Sequence, residues 1–177
     1  MKNNEVKYFH YTYRMLEGDM QKLYQDVIQS GFDFQSIYGV TRGGLIPATH
    51  LSYMSNKPLK VLNISFRDAK EQTSWDGDPD HLGNLQWSIG DGAKVLVVDD
   101  MSDSGKTFNH IYNELASRTT LRQVDEQVRF LSIWWNRASE LKPHYYVREK
   151  NSKKENSWII FPWEGRDTNG DKDVQMD

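Results

Sequence analysis

The sequence predicts an α/β fold: a mostly parallel, twisted sheet flanked by helices, with a long polar loop and a small C-terminal segment. Three observations carry this. Short apolar runs alternate with segments whose apolar residues recur every three or four positions, the pattern of strand and helix in turn. The run Val95-Leu96-Val97-Val98 has no polar alternation and ends abruptly on Asp99-Asp100, as a buried strand emerging at a site would. Three polar segments, 41–44, 67–91 and 99–107, each follow a strand. In parallel sheets ligands sit beyond the carboxyl ends of the strands, so these three loops are expected to converge.

The elements follow in order. Val6–Tyr13 is aromatic and extended in character, a strand. Leu16, Met20, Leu23, Tyr24, Val27 and Ile28 recur at helical spacing, and Gly31 stops the helix. Ser36–Val40 is a short strand running into Thr41-Arg42-Gly43-Gly44, and a helix spans roughly Ile46 to Met54. Leu59–Phe66 is the next strand. Arg67–Asp91 is a long polar loop, rich in Gly and Asp, that contains Trp75 and Trp87; a loop of that length inside a compact domain is usually functional or disordered. Lys94–Asp99 is a strand, and the helix after it buries Phe108, Ile111, Tyr112 and Leu115. Val128–Trp135 and His144–Val147 are further strands, Lys150–Glu155 is a charged turn, and Trp158–Trp163 closes the ordered part. One domain is expected over residues 1–165, with residues 166–177 a solvated, disordered tail.

Bulk properties exclude several classes of function. A formal net charge of −3 gives no basic field for nucleic acid. No apolar run is long enough to cross a bilayer, and the first residues lack the apolar stretch of a signal peptide, so a cytoplasmic protein is expected. With no cysteine, disulfides, thiolate nucleophiles and cysteine zinc sites are excluded. Neither the acidic run Asp76–Asp80 nor the tail has the glycine and glutamate positions of a calcium loop, and the five histidines show no metal-ligand spacing. Six Trp and nine Tyr exceed what a core needs, and some are expected in a pocket or a subunit interface.

The chemistry concentrates in Val95–Thr107. Adjacent carboxylates can accept charge-assisted hydrogen bonds from vicinal hydroxyls, which suits Asp99 and Asp100 to a sugar diol. Past them, Asp103-Ser104-Gly105-Lys106-Thr107 opens a helix whose free N–H groups and dipole attract a phosphate, the dipole contributing about 0.3–2 kcal/mol. Ser104 and Thr107 add hydroxyl donors, and Gly105 lets the backbone come close. A nucleotide P-loop would need Gly five residues before Gly105; position 100 is Asp, so that reading fails.

This thirteen-residue pattern resembles the phosphoribosyl-pyrophosphate motif of the type I phosphoribosyltransferases. Thr41-Arg42-Gly43-Gly44 is similar to the family's pyrophosphate loop, and Trp158-Ile159 with Pro162-Trp163-Glu164 is similar to the C-terminal base-binding segment of its xanthine–guanine and hypoxanthine–guanine members. The resemblance implies transfer of ribose 5-phosphate from phosphoribosyl pyrophosphate to a purine base in purine salvage, with Mg²⁺ held mainly by substrate oxygens and weakly by Asp99 or Asp100. It implies that Asp99 and Asp100 hold the ribose hydroxyls and that Asp103, Ser104, Gly105, Lys106 and Thr107 hold the 5′-phosphate. Asp103 would also act as general base or charge stabiliser at the purine. Arg42 with the backbone of Gly43 and Gly44 would grip pyrophosphate, with Arg67 or Lys70 closing over it from the lid. Trp158 would stack on the base and Ile159 meet its edge.

Family members that take 6-oxopurines usually carry a lysine where this chain has Asn136, with Arg137 beside it. Arg137 can donate to a 6-oxo group; Asn136 donates and accepts, which also suits another base. The rival readings are therefore a phosphoribosyltransferase for a different base, and a regulatory protein that binds phosphoribosyl pyrophosphate without turnover. A homo-oligomer, dimer or tetramer, is expected, with Tyr11 and Tyr13 as exposed aromatics compatible with it.

Overall fold

The computed structural model describes residues 6–64, 82–154 and 156–164. Five parallel strands form the main sheet in the order β3-β2-β4-β5-β6: β3 Leu59–Leu62, β2 Ser36–Val40, β4 Val95–Ser102, β5 Val128–Asn136 and β6 Tyr145–Lys150. The expected α/β architecture is the one observed. Helices α1 (Tyr13–Gln29) and α2 (Leu45–Ser55) cover one face; α3 (Gly83–Gly90), α4 (Lys106–Arg118) and α5 (Leu121–Gln127) cover the other. The uninterrupted apolar run of β4 follows directly, because alternate residues enter different cores. Leu96 and Val98 pack with α1 and α2, while Val95 and Val97 pack with α3, α4 and α5.

A second, two-stranded sheet pairs β1 (Lys7–His10) in parallel with β7 (Ser157–Ile160), placing Tyr8 opposite Trp158 and Phe9 opposite Ile159. The beginning and the end of the described chain thus form one small hood. Its anchor is a polar cluster. The Tyr11 hydroxyl donates to Asp19 Oδ2 at 2.7 Å, and the Arg148 guanidinium donates to both oxygens of the same carboxylate while lying over the rings of Tyr11 and Trp134. Burial, with the bond to Asp19 adding to it, pushes the Tyr11 phenol far above its ordinary range.

Several expectations are corrected. The first strand ends at His10, because the Thr12 hydroxyl accepts from Met15 N and caps α1, which begins at Tyr13. Tyr11 is not an exposed aromatic. It is 2% exposed and packs edge-on against Phe161, since the hood closes over it; Tyr13 does face solvent. The pairing of β3 ends at Leu62. The end of the long polar segment is helical: Leu82, Leu85 and Ile89 are buried at helical spacing beneath a polar sequence, forming α3. Short α5 is set by the Thr120 cap on Gln123 N and by a single buried apolar residue, Val124, too little pattern to see in advance. β6 continues through Glu149 to Lys150, so Lys150 belongs to a strand and not to the charged turn. Phe66, residues 67–81 and the tail 166–177 lie outside the described residues. Among the described residues, no helix is long and apolar enough to cross a membrane.

Candidate active site

Two of the three converging segments are described throughout, and they meet. β2 and β4 are neighbours, with Gly39 opposite Val98, so the 41–44 loop and the acids of β4 leave the sheet side by side. β4 carries its ladder past the acids to Ser102, opposite Trp135. Asp99 and Asp100 therefore still have strand geometry and diverge to opposite faces. Asp100 is 2% exposed and points to the α1–α2 face, under the 41–44 loop; Asp99 is half-buried on the other face and accepts from the Asp100 N–H at 2.9 Å.

The loop glycines are explained by this contact. A Cβ on Gly43 would overlap the Asp100 carboxyl, and one on Gly44 would press into the carbonyl oxygens of Val98 and Val40. The loop is fixed further by the Thr41 hydroxyl, which donates to Asn63 Oδ1 and accepts from Ile64 N. The Thr41–Arg42 peptide is cis, and the Arg42 side chain is exposed above it.

At the other side of the β4 end, the chain turns through Asp103 and Ser104 to Gly105, which has φ +80° and precedes the first residue of α4. That backbone favours glycine. The space demands it too: a Cβ there would stand 2.5 Å from Ser139 Oγ and 2.7 Å from Leu141 N. Both belong to the connection 137–144, which returns to start β6 and is pinned here by Glu140 N donating to Ser104 O at 2.9 Å. Ser104, Lys106 and Thr107 surround the turn, with Ser104 and Lys106 exposed and Thr107 half-buried. The first turn of any helix directs unsatisfied N–H groups outward, so this corner can receive an anion.

Asp103 is the junction of the site. Its Oδ1 accepts from Asn136 Nδ2 at 2.9 Å and pairs with Lys150 Nζ at 3.0 Å, while the carboxyl remains 55% exposed. Asn136 and Lys150 are register partners at the ends of β5 and β6. Asn136 also donates to Ser152 Oγ and accepts at Oδ1 from Ala138 N and Ser152 N. Arg137 turns to Glu149, donating Nε at 2.6 Å, and that contact holds the Glu149 carboxyl below its usual range. In the hood, Trp158 is 44% exposed and Ile159 is buried. Lys150 is the residue that sequence reasoning missed. It lay within a run of charges, and only the β5–β6 register shows that it sits opposite Asn136. Arg67 and Lys70 lie outside the described residues.

A parallel sheet carrying adjacent acids, a glycine loop and an open helix terminus at its carboxyl edge has the features of a site for a phosphorylated ligand. The comparisons with known proteins agree. Residues 13–166 match the phosphoribosyl transferase domain family, and the chain belongs to that family. It is 24% identical over 163 residues to a xanthine-guanine phosphoribosyltransferase of Cereibacter sphaeroides, covering 89% of this chain and 87% of that protein. It is 27% identical over 160 residues to the Gluconobacter oxydans protein of the same name, covering 90% and 86%. Its fold matches that of the Helicobacter pylori xanthine-guanine-hypoxanthine phosphoribosyltransferase with a TM-score of 0.64 at 20% identity, over 89% of this chain and 94% of that one.

Proposed function

We propose that this protein transfers ribose 5-phosphate from phosphoribosyl pyrophosphate to a purine of the xanthine, guanine or hypoxanthine type, releasing pyrophosphate in purine salvage. The observation that carries the reading is the seating of Gly43 against buried Asp100. It joins the glycine loop to the second of the two acids at the end of β4, so a diphosphate on the loop and a sugar at the strand end can lie together. The names of the similar proteins support the purine class.

In this reading Asp99 and Asp100 accept from the ribose hydroxyls, and their charge favours the cationic sugar of the transition state. Ser104, Gly105, Lys106 and Thr107 receive the 5′-phosphate at the start of α4. Arg42 and the backbone of Gly43 and Gly44 hold the departing diphosphate, with Arg67 or Lys70 closing over it. Asp103, held through Oδ1 and half exposed, presents its other oxygen to the base as proton acceptor. Trp158 offers a ring face to the purine and Ile159 the adjoining backbone.

Among the described residues, no group of three or more acids or histidines could hold a metal by itself. Asp99 and Asp100 suit an ion that keeps water and substrate oxygens in its shell, the habit of Mg²⁺. Bound there with substrate, Mg²⁺ supplies neutralisation of diphosphate charge. The same reading takes the protein as a cytoplasmic homo-oligomer with one domain over residues 1–165.

The test is a panel of free bases incubated with phosphoribosyl pyrophosphate and Mg²⁺, reading pyrophosphate release. Turnover of 6-oxopurines is expected. Turnover confined to another nitrogen base, or binding of the sugar phosphate with no turnover, replaces this reading with one of its rivals.

A further inference from the structure

Resting on the reading just proposed, the geometry points to Lys150 as the residue that selects the base. It sits at the end of β6, 9% exposed, with its ammonium 3.0 Å from Asp103 Oδ1. A buried ammonium is costly unless its donors are used, and it carries three N–H groups and no acceptor. One of these faces Asp103, whose carboxyl is itself 55% exposed. The other polar groups of this strand end are committed elsewhere. Both amide protons of Asn136 are spent, on Asp103 and Ser152, and its oxygen already accepts from Ala138 N and Ser152 N. Arg137 is drawn to Glu149, away from Asp103.

Lys150 is therefore the group beside Asp103 with donor capacity to offer an incoming ring. A purine with an oxygen at C6 presents an acceptor to that ammonium; a purine with an amino group there presents donors to a donor. Asp103 and Lys150 together form an acceptor and a donor side by side, matching two neighbouring positions on the edge of a 6-oxopurine. The fold makes this possible because β5 and β6 are in register at Asn136 and Lys150, so a lysine on either strand can reach the same place. Asn136 then serves as a positioning residue, tying Asp103 to the 152 turn.

The experiment compares wild type, Lys150→Met, Lys150→Arg and the transposed pair Asn136→Lys with Lys150→Asn. Each is assayed with hypoxanthine, guanine and adenine at saturating phosphoribosyl pyrophosphate, and binding of that sugar phosphate is measured by calorimetry. Lys150→Met is expected to lower kcat/KM for both 6-oxopurines about 10²-fold, the upper end of what losing one charge-assisted hydrogen bond implies. Its adenine rate stays within threefold of wild type and its sugar-phosphate affinity is unchanged. Lys150→Arg and the transposed pair each recover at least tenfold over Lys150→Met. Should Lys150→Met fail to fold, the transposed pair decides, expected to keep a 6-oxopurine preference within tenfold of wild type. The inference is overturned if Lys150→Met retains its 6-oxopurine rates within threefold, or loses all bases and sugar-phosphate affinity alike. An active wild type with an indifferent Lys150→Met sinks this inference alone; a wild type that turns over no purine sinks the proposed function with it.

Discussion

Replacing Gly43 by Ala tests the surface on which the diphosphate and the sugar are proposed to meet. The added Cβ would come within 3.0 Å of Asp100 Oδ1 and closer still to Cγ and Oδ2, against ~3.5 Å or more for an unstrained carbon contact. Asp100 is 2% exposed, so its carboxyl is packed on most sides. Either its carboxyl turns off its rotamer, at about 0.5–1.5 kcal/mol, or the loop lifts, within the ~1–3 kcal/mol typical of an overfilled site. Both movements displace a group that has to meet the ribose by something near an ångström. Misplacement of that size costs on the order of 10²-fold in rate. Steady-state kinetics with phosphoribosyl pyrophosphate as the varied substrate should show kcat/KM down by about that factor, while the melting temperature falls only modestly. Gly18→Ala is the control: nothing lies within 4 Å of a Cβ there, and the site is inside α1, so it should stabilise by ~0.5–1 kcal/mol with activity intact. The clash also predicts coupling. Gly43→Ala combined with Asp100→Ala should be no worse than Asp100→Ala alone, because the two positions share one contact. Full activity in Gly43→Ala, or penalties that simply add in the double variant, would show that the loop and the acid do not work as one surface.

Other predictions address separate parts of the site. Gly105→Ala combines a positive φ with a Cβ 2.7 Å from Leu141 N, so it should lower stability by more than ~1 kcal/mol as well as weaken sugar-phosphate binding, read by denaturant melts and calorimetry. Asp103→Asn should lower kcat by about 10²–10⁴ with little change in sugar-phosphate affinity; equal losses in both would deny it a role at the reacting base. Trp158→Ala should raise the KM for the base about tenfold or more, as loss of ~1–3 kcal/mol of stacking implies, and leave the KM for the sugar phosphate alone. His144 gives a pH dependence. Burial, then the nearby charge of Arg129, lowers its pKa to about 4, and its Nδ1 accepts from Phe130 N at 3.0 Å. The unfolded chain takes up this proton near pH 6.5, so the contribution is complete above that value and fades as the pH falls toward 4. His144→Asn should flatten that part of the stability–pH curve measured by melting between pH 7 and 4.5; an unchanged slope would place the loss elsewhere.

The parts of this molecule legible in its sequence are those where one short segment determines its own structure. The central strand announces itself because both of its faces are buried, and α1 and α4 because one stripe of each is. The 41–44 loop and Gly105 could be recognised as special from residue type alone, although the reason for Gly105 differs in part: it accommodates the 137–144 connection as well as a backbone turn. What stayed hidden depends on register or on distant partners. The pairing of β1 with β7 joins segments some 150 positions apart, and nothing local to Tyr11 says that a hood will close over it. α3 and the residue before it bury three apolar side chains, Leu82, Leu85 and Ile89, at the end of a long polar stretch, so their period is masked by the neighbours.

Lys150 shows most clearly what register adds. By sequence it is fourteen positions from Asn136 and sits at the start of a lysine-rich turn; by β pairing the two are directly opposite. The cation is thus on the neighbouring strand rather than missing, and the asparagine is freed to brace the carboxyl and the following turn. This division has a physical advantage. Asn136 spends every hydrogen-bonding group internally and so is rigid, whereas the ammonium at the end of a flexible four-carbon stem keeps donors to direct at a ligand. One strand end fixes the proton acceptor and the next supplies the discriminating charge. The two functions can therefore be separated by mutation at this site, as they could not be if a single residue performed both.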